Sequence, residues 1–176
     1  MRVPAVIGTT VNEWDPFLPY NKFFGPNQTL ADEGTARGFL CPSVFTTHER
    51  YAEVNATTYR YLYGGNSSSI APRWWQVAFH SADLPLVFGT PSIARSNSTP
   101  FEAAVSEQMQ DYWLAFAKDP VHGLPAKGWH GYHGNIDGES ALFGWGDNVV
   151  RPIADSELES ARDQGVPNGK PNPPIS

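Results

Sequence analysis

The spacing of apolar residues changes several times along this chain, and each change marks an element. Val3 to Thr9 is short, apolar and β-branched and runs into Gly8-Thr9-Thr10, which predicts a buried strand. Thr57 to Tyr63 (T-T-Y-R-Y-L-Y) predicts a second strand, ended by Gly64-Gly65. Pro42 to Val54 reads as a helix with Pro42 in its first turn and apolar positions at Val44, Phe45, Tyr51 and Ala52. The longest helix runs from Pro100 to Lys118. Thr99 caps it, and Phe101, Ala104, Val105, Met109, Tyr112, Trp113 and Phe116 form one buried face. Asp119-Pro120 stops it.

The rest is less regular. Pro19 to Gly38 has no clean period, apart from a turn at Gly25-Pro26-Asn27. Ala141 to Phe143 predicts a last short strand, and Asp155 to Arg162 a short helix capped by Asp155. From Asp163 the sequence is rich in Pro, Gly and Asn, so residues 163–176 are expected to be a disordered tail behind a folded unit of residues 1–162. The expected fold class is α/β.

Composition narrows the function classes. Of 176 residues, 40% are hydrophobic and 13% aromatic, enough for a core. The net charge of -6 offers no basic stripe for phosphates, so nucleic acid is not an expected partner. No apolar run reaches the roughly 20 residues that span a bilayer, so no transmembrane segment is expected. Met1 to Gly8 does not read as a signal peptide, because its apolar stretch is too short. Four sequons, at Asn27, Asn55, Asn66 and Asn97, nonetheless point to a secretory history. The single cysteine, Cys41, has no internal partner.

The stretch Phe79 to Gly89 (F-H-S-A-D-L-P-L-V-F-G) places His80 between an aromatic segment and an apolar run. Imidazole is the usual general acid/base near neutral pH, although locally a histidine with satisfied hydrogen bonds fits as well. Glu13 follows the first strand, where α/β sheets place their chemistry; a solvated loop carboxylate fits locally too. Asp83 reads as a helix-start carboxylate or a group that orients the backbone near His80. Trp129-His130-Gly131-Tyr132-His133 has H-x-x-H spacing but no further ligands, so it reads as a solvated aromatic loop, with no metal or cofactor expected. Trp74-Trp75 reads as core or rim packing.

Three ordered segments together resemble the type-B carboxylesterase/lipase family, which includes cholinesterase-like enzymes and fungal lipases. They are Ile7 to Phe17 (I-G-T-T-V-N-E-W-D-P-F), Phe79 to Gly89, and the helix around M-Q-D-Y-W-L-A-F-A-K-D-P. The resemblance implies the C-terminal part of an α/β-hydrolase fold with an incomplete sheet. It implies a triad in the order Ser, Glu, His, with Glu13 as the acid and His80 as the general base. It also implies an extracellular enzyme acting on small-molecule or lipid esters.

The sequence contains no G-x-S-x-G elbow. Gly138-Glu139-Ser140-Ala141-Leu142 carries part of one, but Leu142 stands where the sharp turn needs a small residue, and the segment follows the histidine. Ser140 is therefore not expected to be the nucleophile, and the chain by itself is expected to be inactive. A non-catalytic binding or degenerate protein on the same scaffold is the alternative. Cys41 resembles a family cysteine that pairs near the C-terminus, and the resemblance breaks at Asp163.

Overall fold

The computed structural model describes residues 3–93, 95–134 and 138–158. A four-stranded mixed sheet runs through it. Strand β1 (Ala5–Thr10) opens the chain, and a small antiparallel hairpin follows, β2 (Tyr20–Asn21) with β3 (Gly25–Pro26). Helix α1 (Gln28–Thr35) continues through a π turn (Ala36–Leu40) into α2 (Cys41–Val54). Then come β4 (Thr58–Tyr63), a short α3 (Leu84–Val87), α4 (Pro100–Lys118), β5 (Glu139–Phe143) and β6 (Val150–Ala154). The sheet order is β1-β4-β5-β6, with β1, β4 and β5 parallel and β6 antiparallel.

The crossover from β1 to β4 carries α1 and α2, and that from β4 to β5 carries α4, as parallel neighbours require. Both faces of β4 are therefore covered: Tyr59, Leu62 and Tyr63 are buried. The core lies between the sheet and α4. Trp129 is 4% exposed at its centre, and its ring lies 5.5–6.4 Å from those of Tyr59, Tyr61, Tyr112, Trp113 and Phe143. Most of these pairs are tilted or edge-on, the geometry that ring quadrupoles favour.

Helix α4 forms as its sequence predicts. Thr99 Oγ1 accepts from the Glu102 N–H, and Glu102 Oε2 accepts from the Thr99 N–H, a full capping box before Pro100. Val105, Met109 and Tyr112 are buried on one face. Glu102 Oε1 also accepts from Ser68 Oγ and the Ser69 N–H, which ties the helix to the loop after β4.

Several expectations need correction. Pro19 to Gly38 contains α1, whose polar sequence hides its period; Asn27 caps it by accepting from the Leu30 N–H. Helix α2 buries Val44 and Thr47 rather than the apolar face expected, leaving Phe45 at 65% exposure and Tyr51 and Ala52 exposed. Trp129 and Tyr132 are buried, so their segment is not a solvated loop; His130 and His133 alone face solvent. Trp75 is buried and Trp74 is half-exposed. Strand β6, with Pro152 tolerated at the sheet edge, has no clear period in the sequence. Residues 155–158 are helical, but Asp155 is inside the helix rather than capping it. Residues 159–162 of the expected helix and the expected tail at 163–176 lie outside the described residues.

Candidate active site

The loop after β1 and the loop before α3 meet beyond the carboxyl ends of β1 and β4. The joint is a backbone bond from the Asn12 N–H to the Ala78 carbonyl (2.9 Å), within an isolated parallel bridge between Asn12 and Phe79. It brings together two residues 67 positions apart in sequence. His80 Nδ1 lies 2.6 Å from Glu13 Oε2. The other Glu13 oxygen accepts from the Thr10 N–H at 2.7 Å. Both carboxylate oxygens are thus held, and the carboxylate in turn orients the ring.

Burial separates the two partners. Glu13 is 5% exposed, whereas the His80 side chain is 42% exposed, so the pair is anchored on the carboxylate side and open on the imidazole side. Burial raises the Glu13 pKa above the usual carboxylate range. The Thr10 N–H and His80 oppose that rise, and Asp83 adds to it.

Aromatic rings fix the imidazole from the side. Phe17 and Phe39 stand 5.4 and 5.0 Å from it, stack on one another, and both touch Trp14. Phe39 reaches this position from the π turn, an irregularity often found at functional sites. Trp14 sits in a notch cut by two glycines one helical turn apart. A Cβ on Gly34 would fall 2.2 Å from the indole and one on Gly38 3.0 Å from it, and the Trp14 N–H donates to Thr35 Oγ1.

The His80 loop is strained as well as packed. Val77 (φ 42°) and Ser81 (φ 66°) bracket the histidine in left-handed backbone, which is costly for a β-branched residue. Asp83 holds the loop from below: it is 6% exposed, and its Oδ2 accepts from the Tyr61 hydroxyl at 2.6 Å. Burial, with Asp83 beside it, pushes the Tyr61 phenol up. Gly8 makes room for the Tyr61 ring, since a Cβ there would fall 1.9 Å from a ring carbon.

The other residues singled out in the sequence lie apart from this pair. Ser140 is buried on β5, where its Oγ donates to Asp155 Oδ1. Cys41 is free and partly exposed at the start of α2. Asn27, Asn55, Asn66 and Asn97 are all exposed. Among the described residues, no group of three or more His, Cys, Asp or Glu side chains is placed to hold a metal ion, and no helix is long and apolar enough to cross a membrane. Asn12, Phe17, Phe39 and the Gly34–Gly38 notch were not singled out in the sequence. Paired glycines at helical spacing were the available sign of a close approach.

An imidazole with one nitrogen fixed by a buried carboxylate and an open outer face can accept a proton from a hydroxyl and return it to a leaving group. The carboxylesterase family profile matches residues 27–139. Over 137 residues, 73% of this chain and 25% of the relative, the chain is 46% identical to secreted lipase 5 of Gibberella zeae. It is 49% identical over 69 residues to a chlorogenic acid esterase of Aspergillus niger, covering 39% of this chain and 14% of that protein. It is 30% identical over 95 residues to acetylcholinesterase of Gallus gallus, covering 53% of this chain and 12% of that protein. The chain therefore spans a quarter or less of the length of these relatives.

Proposed function

This chain belongs to the carboxylesterase family, and on that premise we propose that it supplies the acid and the general base of a serine-type carboxylic-ester hydrolase. Glu13 is the acid and His80 the base; the serine nucleophile lies outside these 176 residues. The observation that carries this reading is the 2.6 Å contact between His80 Nδ1 and the buried Glu13 carboxylate.

With Nδ1 committed to Glu13, Nε2 takes the proton from the serine hydroxyl as it attacks the ester carbonyl. The acyl-enzyme forms when Nε2 returns that proton to the leaving alcohol. A second cycle, with water in place of serine, releases the acid. Glu13 stabilises the imidazolium formed in each cycle. The Phe17–Phe39 wall limits rotation of the ring, so the tautomer and direction needed for transfer are set before substrate arrives.

Residues 1–162 make up the C-terminal portion of the family domain, and the four-stranded sheet is one end of a larger α/β-hydrolase sheet that continues past β1. The substrate is a small-molecule or lipid ester met outside the cell. The name of the Gibberella zeae relative, a secreted lipase, and the exposure of the four sequon asparagines support that location. Ser140 is not the nucleophile, because its hydroxyl is buried and donates to Asp155. Without a nucleophile the chain alone hydrolyses no ester.

A non-catalytic relative has no use for a buried carboxylate locked onto a half-exposed histidine. The test is to read the coding sequence upstream of Met1 and assay the product. An in-frame G-x-S-x-G segment, with hydrolysis abolished in His80→Ala and intact in Ser140→Ala, is the expected result. Hydrolysis that survives His80→Ala, or that disappears in Ser140→Ala, overturns the assignment.

A further inference from the structure

One carboxylate beside the site takes no part in this chemistry. Asp15 is 1% exposed, and its Oδ1 accepts no hydrogen bond among the described residues. Its Oδ2 accepts from Asn12 Nδ2 at 3.3 Å, and its backbone N–H donates to the Asn12 carbonyl, also at 3.3 Å. A buried carboxylate with one long hydrogen bond is an expensive feature and asks for a reason.

The reason lies in what Asn12 does. Its N–H makes the backbone bond to Ala78 that joins the Glu13 loop to the His80 loop. Its carbonyl and side-chain amide are both held by Asp15. Asp15 thus clamps the residue through which the two loops keep register. We propose that Asp15 is a positioning residue: its carboxyl group, acting through Asn12, sets the placement of Glu13 against His80. The inference rests on the Glu13–His80 pairing described above.

The bond from Asn12 favours the charged form of Asp15, but burial outweighs it. Burial, with Asp32 adding to it, pushes the Asp15 pKa up to about 6. The elements around Asp15 carry Glu13 on its own loop, Asp32 and Glu33 on α1, Arg37 in the π turn, and His80 and Asp83 across the junction. Of these, Asp32 is the one that acts on Asp15 directly, and it opposes ionisation. Above about pH 6 a charge therefore appears in a site with one hydrogen-bond donor facing it, and the junction loosens.

The proton between His80 and Glu13 reports on that junction. In this chain it is followed by NMR as a downfield imidazole resonance, assigned by its loss in His80→Gln, and its exchange with water is measured from about pH 5 to 8. Asp15→Asn keeps the shape and an acceptor for Asn12 but cannot ionise. The exchange rates of wild type and Asp15→Asn are expected to differ least near pH 5. By about pH 7.5 wild type should exchange about fivefold faster, as local opening becomes easier. Asp15→Ala and Asn12→Ala should exchange faster than Asp15→Asn at every pH. Wild type and Asp15→Asn tracking each other throughout would overturn the proposal even if the alanine variants did not fold. In Glu13→Gln the resonance should vanish. If it persists there, the pairing itself is wrong; if it vanishes there but no Asp15 variant alters exchange, the pairing stands and the clamp does not.

Discussion

Two regions packed against strand β4 are built on different rules. Around Trp129, between the sheet and α4, rings meet rings, and the charged group at the start of the helix is fully bonded: Glu102 closes a capping box and accepts from two further donors. Around His80, beyond the ends of β1 and β4, three carboxylates (Glu13, Asp15 and Asp83) are buried within a few residues of one another or of the histidine. Two non-glycine residues there hold left-handed backbone, and Asp15 leaves a carboxylate oxygen without a partner among the described residues, where the first region leaves only neutral atoms such as Trp129 Nε1. The first region follows the hydrophobic pattern and stabilises the fold. The second spends stability on placing one imidazole, and such sites persist only where the surrounding packing over-determines them.

The contrast can be broken from either side. The largest effect is expected at the histidine. In the complete enzyme His80→Ala should lower kcat by about 10⁶-fold while the melting temperature stays nearly constant. Kinetic assay and thermal melts on the same preparation check both halves, and a variant that unfolds instead would erase the distinction. Phe143→Ala should do the reverse. Removing this fully buried ring should cost about 3–5 kcal/mol in urea denaturation, with the His80–Glu13 proton resonance unchanged under native conditions.

Asp15 gives a smaller, pH-dependent term. Its folded pKa of about 6 lies above the ordinary 3.8. Its contribution to stability is therefore fully present below about pH 4 and lost as pH rises through about 6. The loss amounts to about 2–3 kcal/mol. Urea midpoints of wild type and Asp15→Asn, compared at pH 4.5 and 7.5, should diverge in favour of the variant at the higher pH. Parallel curves would remove Asp15 from the account. The smallest effect is expected at the helix cap. Thr99→Ala should cost about 1 kcal/mol and leave the His80 region untouched.

The regular elements were legible in the sequence wherever the local signal and the tertiary demand agreed. Thr99-Pro100, followed by a three-and-four apolar spacing, gave α4 to the residue. T-T-Y-R-Y-L-Y gave β4 nearly so. Helix α1 was hidden because its buried positions are Ala31 and Thr35, which carry little hydrophobic signal, and because Gly34 serves Trp14 rather than helix propensity. Helix α2 misled because its exposed side carries Phe45 and Tyr51 while its buried side includes Thr47. In the candidate site, Glu13 and His80 were singled out through the segments around them. Phe17, Phe39, Asn12 and Asp15 were not, because nothing local distinguishes a ring or an amide at a loop junction from one in solvent.

By itself, then, the sequence determined the α/β alternation, the two residues proposed as acid and base, and the resemblance to the carboxylesterase family, because propensity, capping and motif order are written in neighbouring residues. Only the tertiary structure decided that the two residues meet. That contact spans 67 positions and depends on parallel pairing of β1 with β4, a glycine opposite Tyr61, a notch for Trp14 and one backbone bond from Asn12. Each is a fit between distant parts of the chain, and close packing makes such fits decisive while leaving no periodic trace in the sequence.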